Sequence, residues 1–130
     1  MPTLFTRIIN GELPGRFVYT DEQVVAFLSI APLNPGHTLV VPRAEVDQWT
    51  DADGPLLHHC MDVAQRIGVA AKQAFEAPRA GVVIAGLEVP HLHVHVFPAW
   101  SESDFDFARA KPATDEELDS AAAKLRAALG

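Results

Sequence analysis

Half of the six histidines in this chain occupy alternate positions of one short stretch, His91, His93 and His95, with Leu92 and Val94 between them. Imidazole is the side chain that titrates near neutral pH, so it can attack, donate or accept without extreme tuning. On a β-strand alternate residues share a face. The pattern therefore predicts three imidazoles on one side and Leu92, Val94 and Val96 on the other, where they can enter the core. Three readings of the imidazole row follow. A solvated strand face is the plainest, although surface strands favour Thr, Lys and Glu over repeated His. A metal site is the second. Side chains at i and i+4 start about 13 Å apart on a strand, so all three cannot reach one ion through bonds of about 2 Å. Such a site needs one His-x-His pair plus another ligand, with His37 or Glu88 the nearest in type. The third is imidazole chemistry: one attacking nitrogen flanked by two groups that hold phosphate oxygens, an arrangement suited to two-step displacement at phosphorus.

The elements that must position this row are readable from periodicity and punctuation. Thr3 can cap a short helix over 4–10, and Asn10-Gly11 ends it. Strands are expected over 16–20, 23–29 and 37–41, with a Pro- and Gly-bearing loop over 31–36. Asp53-Gly54-Pro55 opens a helix that runs to about Glu76, with Leu57, Cys60, Met61, Ala64, Ile67 and Ala71 on its buried face. His58 and His59, neighbours on that helix, cannot share a face and are read as ordinary helix residues. Further strands are expected over 81–85 and 91–97. Thr114-Asp115-Glu116-Glu117 has the form of a capping box and opens a last helix over about 114–128. This order predicts an α+β domain, a five-stranded antiparallel meander with helices packed on one face.

Composition narrows the function. The 130 residues are 48% apolar and 21% charged, as expected of one globular domain spanning 1–130. The formal net charge of −7 argues against a broad electrostatic grip on nucleic acid or an anionic membrane. Any phosphate must be held by a few local donors, as in a small molecule. Cys60 is the single cysteine, so no intrachain disulfide can form. The N-terminus lacks the apolar core of a signal peptide, and no apolar run approaches the ~20 residues of a membrane span. A cytoplasmic protein is the expectation.

The segment Gly86-Leu87-Glu88-Val89-Pro90-His91-Leu92-His93-Val94-His95-Val96-Phe97-Pro98 resembles the signature of the histidine triad (HIT) superfamily of nucleotide hydrolases and transferases. Residues 4–14 are similar to that family's opening helix and turn, and residues 26–42 to its central hairpin. The resemblance covers residues 3–100 and implies a HIT-like fold, usually a homodimer whose sheets join. It implies that His93 attacks the α-phosphorus of a purine nucleotide, giving a nucleotidyl-imidazole that water resolves. It also implies that the His91 carbonyl orients the nucleophile, that His95 meets phosphate oxygen and leaving group, and that His37 is a fourth active-site histidine. Phe5, Ile9, Phe27 and Ile30 correspond to apolar residues of the base pocket. No cofactor is implied.

The chain departs from the family pattern at several places. Ser29 stands where many members carry an aspartate that binds both ribose hydroxyls. Leu87 stands where many have glutamine, and Glu88 where one branch has a serine that helps protonate the leaving group. A carboxyl at Glu88 could serve as a general acid or stand as a solvated loop acid. Thr3 and Thr6 occupy the region where some members bind structural zinc through Cys-x-x-Cys, so no metal is expected. Trp100 follows the triad, where the chain of some members crosses to a partner's site.

Overall fold

The computed structural model describes residues 2–130. A helix Leu4–Ile9 (α1) precedes strands Phe17–Thr20 (β1), Val24–Leu28 (β2) and Thr38–Pro42 (β3). A long helix Gly54–Phe75 (α2) then leads to strands Arg79–Val83 (β4) and Val94–Ala99 (β5), and helix Asp115–Leu129 (α3) closes the chain. The local signals act where the sequence places them. Thr3 caps α1 by accepting from the Thr6 amide, and Asp53 caps α2 by accepting from the Leu56 amide. The Thr114–Glu117 capping box opens α3. At the far end of α2, Glu76 adopts the left-handed conformation (φ 53°) that terminates the helix before Pro78.

The α+β class and the five-stranded antiparallel sheet stand as expected, but the strand order is β1-β2-β3-β5-β4 and not that of a simple meander. After β3 the chain crosses the sheet as α2 and lands one strand position out, forming the edge strand β4. β5 then returns into the gap and pairs with both β3 and β4. The helices also occupy both faces of the sheet. Val24, Ala26, Val40, Val94 and Val96 face α2, where they meet Cys60, Val63, Ala64 and Ile67. α3 packs beside α2 through Leu118, Ala121, Ala122 and Leu125. The alternate residues Val25, Phe27, Leu39 and Val41 face the other way and are covered by Phe5 of α1. Because β2 and β3 are buried on both sides, they read as unbroken apolar runs. Those runs hide the second face from any count of alternation.

The last two strands are also displaced from their expected bounds. β4 starts at Arg79, because the left-handed Glu76 releases the chain straight into pairing with Ala99 and Pro98. β5 starts only at Val94. Before it, the His91 amide turns back to the Val89 carbonyl (2.8 Å), and the Leu92 amide bonds the Val46 carbonyl (2.6 Å). His91 and His93 thus lie on an irregular approach to the strand, and only His95 belongs to it.

Candidate active site

Four histidines meet on the α1 side of the sheet. Their proton positions follow from partners that can only donate or only accept. A backbone carbonyl can only accept, so the 2.7 Å contact from His93 Nδ1 to the His91 carbonyl places the His93 proton on Nδ1. Nε2 of His93 then carries the lone pair. A backbone amide can only donate, so the 3.0 Å bond from Leu33 N to His37 Nδ1 puts the neutral His37 proton on Nε2. That N–H donates to His95 Nδ1 at 2.9 Å, which leaves His95 with its proton on Nε2. One lone pair and one N–H therefore stand on neighbouring rings, whose centroids are 4.9 Å apart.

Both atoms open to the surface. No buried polar side-chain atom among the described residues lacks a partner. Neither His93 Nε2 nor His95 Nε2 is bonded within the described chain, so each must reach solvent. The rings themselves are largely enclosed: His91 is fully buried, His37 is 2% exposed and His93 is 7% exposed. Burial favours the neutral imidazole. It pushes His37 down to about 3, helped by repulsion from His95 and His93. Burial and repulsion from His93 push His95 down to about 4. His93 is also lowered, chiefly by burial, against the raising effects of its carbonyl bond and of Glu88. Near pH 7 the site presents an uncharged nucleophile beside an uncharged donor.

Gly36 sets up the turn into His37. Its φ of +96° suits glycine, and a Cβ there would lie 2.5 Å from the Phe75 ring. The ring of His91 is clamped at both ends, by Thr3 Oγ1 at 2.6 Å and by the Pro42 carbonyl at 2.7 Å. Phe5 stands edge-on to His93 (centroids 4.8 Å) and to Phe27 (5.6 Å). It forms an apolar wall with Ile9 and, beyond the residues picked from sequence, Ile8, Phe17 and Val89. Ile30 stands apart from this wall and is 72% exposed. Ser29 lies at the end of β2, where its Oγ accepts from the Ala31 amide at 3.3 Å. Glu88 is solvent-exposed in the loop before the triad.

Sequence reasoning missed Phe107, whose ring lies 4.8 Å from that of His95. Its neighbour Phe105 packs on Phe97 at 4.9 Å. The alternation Asp104-Phe105-Asp106-Phe107 was the available signal. Trp100, 52% exposed, uses its amide to bond Asp104. His59 lies outside the cluster, its Nε2 2.7 Å from Asp21. Cys60 is a buried free thiol pushed up to about 11 by burial, so it is not a nucleophile.

A family model described as the HIT domain matches residues 10–101, well over half of the chain. The chain belongs to the HIT family. An uncharacterised HIT-like protein of Methanocaldococcus jannaschii is 36% identical over 122 residues, covering 89% of this chain and 92% of that one. Among solved structures, a hypothetical histidine triad nucleotide-binding protein of Sulfolobus tokodaii is 30% identical with a TM-score of 0.85, over 96% of this chain and 90% of that one. A zinc-bound histidine triad protein of Mycobacterium smegmatis is also 30% identical, with a TM-score of 0.84 over 97% and 91%. Among the described residues of the present HIT chain no group of three or more His, Cys, Asp or Glu is placed to hold a metal ion.

Proposed function

We propose that this HIT protein is a nucleotidyl hydrolase or transferase acting at the α-phosphate of a purine nucleotide. The observation that carries the reading is the outward-facing Nε2 lone pair of His93, set beside the Nε2–H of His95. His93 Nε2 forms a bond to the α-phosphorus while the P–N or P–O bond to the leaving group breaks, its electron pair leaving with that group. As the His93 ring gains positive character, its Nδ1–H bond to the His91 carbonyl strengthens and holds the charge. The His95 N–H donates to a phosphoryl oxygen or to the departing atom. In the second step water attacks phosphorus and gives its proton to solvent at the mouth of the cleft, the P–N bond to His93 breaks with its electron pair returning to Nε2, and the nucleoside monophosphate leaves with a regenerated neutral imidazole. The base would lie against Phe5, Phe27 and Ile9, with the ribose toward Ser29 and Ile30. No step draws on a cofactor.

Ser29 favours a second reading, a nucleotide-binding or sensor protein without turnover, because one short hydroxyl holds a ribose less well than a carboxylate. The two separate on one experiment. Purified protein is given adenosine monophosphoramidate, and AMP release is followed alongside mass spectrometry of acid-stable and acid-labile adducts. Turnover that disappears in His93→Asn, with a nucleotidyl adduct mapped to His93, supports the enzyme. AMP binding by calorimetry with no turnover of any phosphoramidate or dinucleotide supports the binding protein.

A second copy of this chain is the proposed partner. β4 is an edge strand with one side unpaired. Beside it, an open groove of about 590 Å³ runs along α2, lined by Met61, Gly68, Val69, Ala80 and Val82. Met61, Val69 and Val82 expose much of their surface, and an uncovered apolar edge invites pairing. No helix of the described residues is long and apolar enough to cross a membrane. We place the protein's site of action in the cytoplasm, where the lone Cys60 would stay reduced.

A further inference from the structure

The triad approaches β5 through residues 91–93, which no sheet ladder holds, so something else must fix the carbonyl that orients His93. The His91 side chain does this, and its ring has a partner 88 positions away in sequence. His91 Nε2 faces the Pro42 carbonyl at 2.7 Å and must donate to it. In the neutral ring Nδ1 is then an acceptor, and the group facing it at 2.6 Å is the Thr3 hydroxyl.

Counting protons settles the direction. Thr6 Oγ1 gives its proton to Glu45 Oε2 at 2.8 Å, and Thr3 N donates to the same oxygen at 2.7 Å. Thr3 Oγ1 accepts from the Thr6 amide at 3.1 Å as the cap of α1. Its one proton has two acceptors within reach, His91 Nδ1 at 2.6 Å and Thr6 Oγ1 at 3.2 Å, and the shorter contact is the one to His91. A single oxygen both caps α1 and holds His91. α1 in turn carries Phe5, which stands against the rings of His93 and His91. Glu45, kept below the usual carboxylate range by the Thr3 amide and then the Thr6 hydroxyl, anchors the first turn of the helix.

We propose that Thr3 is a positioning residue for the nucleophile: its hydroxyl fixes the His91 ring, and so the carbonyl that orients His93, in register with the apolar wall on α1. This deepens the enzymatic reading and rests on it for its kinetic consequence, but its structural core can be tested without turnover. The variants are Thr3→Val, which keeps shape and loses the hydroxyl, and Thr3→Ser, which keeps the hydroxyl. Nitrogen-15 NMR of the imidazoles should show His91 as the Nε2–H form and His93 as the Nδ1–H form in the parent and in Thr3→Ser. In Thr3→Val the tautomers should persist, but the His91 Nδ1 resonance should shift to that of a lone pair without a donor, and the His93 Nδ1–H should exchange faster as its acceptor carbonyl loosens. With adenosine monophosphoramidate, kcat of Thr3→Val should fall by about tenfold, equivalent to about 1.4 kcal/mol of transition-state stabilisation. KM should change by less than about threefold, and Thr3→Ser should stay within about twofold of the parent. A His91 Nδ1 resonance and a His93 Nδ1–H exchange rate unchanged in a folded Thr3→Val overturn the proposal, even if the melting temperature drops through loss of the cap. A parent protein with no turnover, together with the expected NMR changes in Thr3→Val, refutes the enzymatic reading and leaves the positioning role standing.

Discussion

Mild acid should destabilise this protein well before its carboxylates titrate, and the cause is the buried histidine pair. An imidazole in an unfolded chain titrates near 6.5, whereas burial, then His95 and His93, hold His37 at about 3 in the folded state. Between those values the unfolded chain binds a proton that the folded chain refuses, so stability rises with pH. The contribution is intact above about 6.5 and is lost as the pH falls from there toward 3. Lowering the pH from 7 to 5 costs about 2 kcal/mol from His37 alone. His95, held at about 4, acts in the same direction; because each ring's charge repels the other's, the two losses are not simply summed. For 130 residues, 2 kcal/mol corresponds to a fall of about 7 °C in Tm. Asp21 acts with the same sign but in a lower pH window. Burial raises its carboxyl, but hydrogen bonds from Tyr19, from the amides of Gln23 and Val24, and from His59 outweigh it and hold the group below the usual range. Its contribution persists above about 4 and is lost only below that, outside the window of interest. Thermal melts followed by circular dichroism at pH 7, 6 and 5 should show the drop in the parent and a clearly smaller one in His37→Gln. A flat Tm between pH 7 and 5, or an equal drop in His37→Gln, refutes the reasoning.

Other outcomes follow from the same geometry. Ser29→Asp should tighten AMP binding by about tenfold or more in calorimetry, the gain of charge-assisted bonds worth about 1.5–3 kcal/mol; unchanged affinity means that the ribose is not held at residue 29. Val82→Arg, on the exposed edge strand, should convert a sedimenting dimer to monomer with little effect on the melting temperature of the fold. A parent chain that sediments as a monomer at high micromolar concentration removes the second copy as partner.

Local chemistry was legible and long-range pairing was not. Thr3, Asp53 and the Thr114–Glu117 box cap helices where their residue types demand it, because a cap is decided within four residues. The histidine row was visible for the same reason. Its environment was not: the donor that fixes His37 is a backbone amide four residues earlier, and the acceptor for His91 is the carbonyl of Pro42. Backbone groups carry no sequence signal of what they will bond. The strand order escaped because β3 and β5 show the same apolar character whatever their neighbours. The coverage of both sheet faces escaped because α1 is only six residues long, too short for its apolar periodicity to show which face of the sheet it covers. The alternation of His91 with Leu92 reads as strand, yet both residues lie before β5 begins at Val94.

The run of hydrogen bonds from the Leu33 amide through His37 to His95 has a fixed sense and a closed end. An amide N–H cannot take up a proton, so nothing delivered to His95 can be passed inward and out through the back of the protein. The pair is a cul-de-sac that holds its outermost N–H in place and conducts nothing. Every proton moved in a catalytic cycle must therefore enter and leave by the same mouth as the substrate. In the proposed cycle a proton that reaches His95 can enter and leave only by that mouth, which the Phe107 ring beside His95 borders.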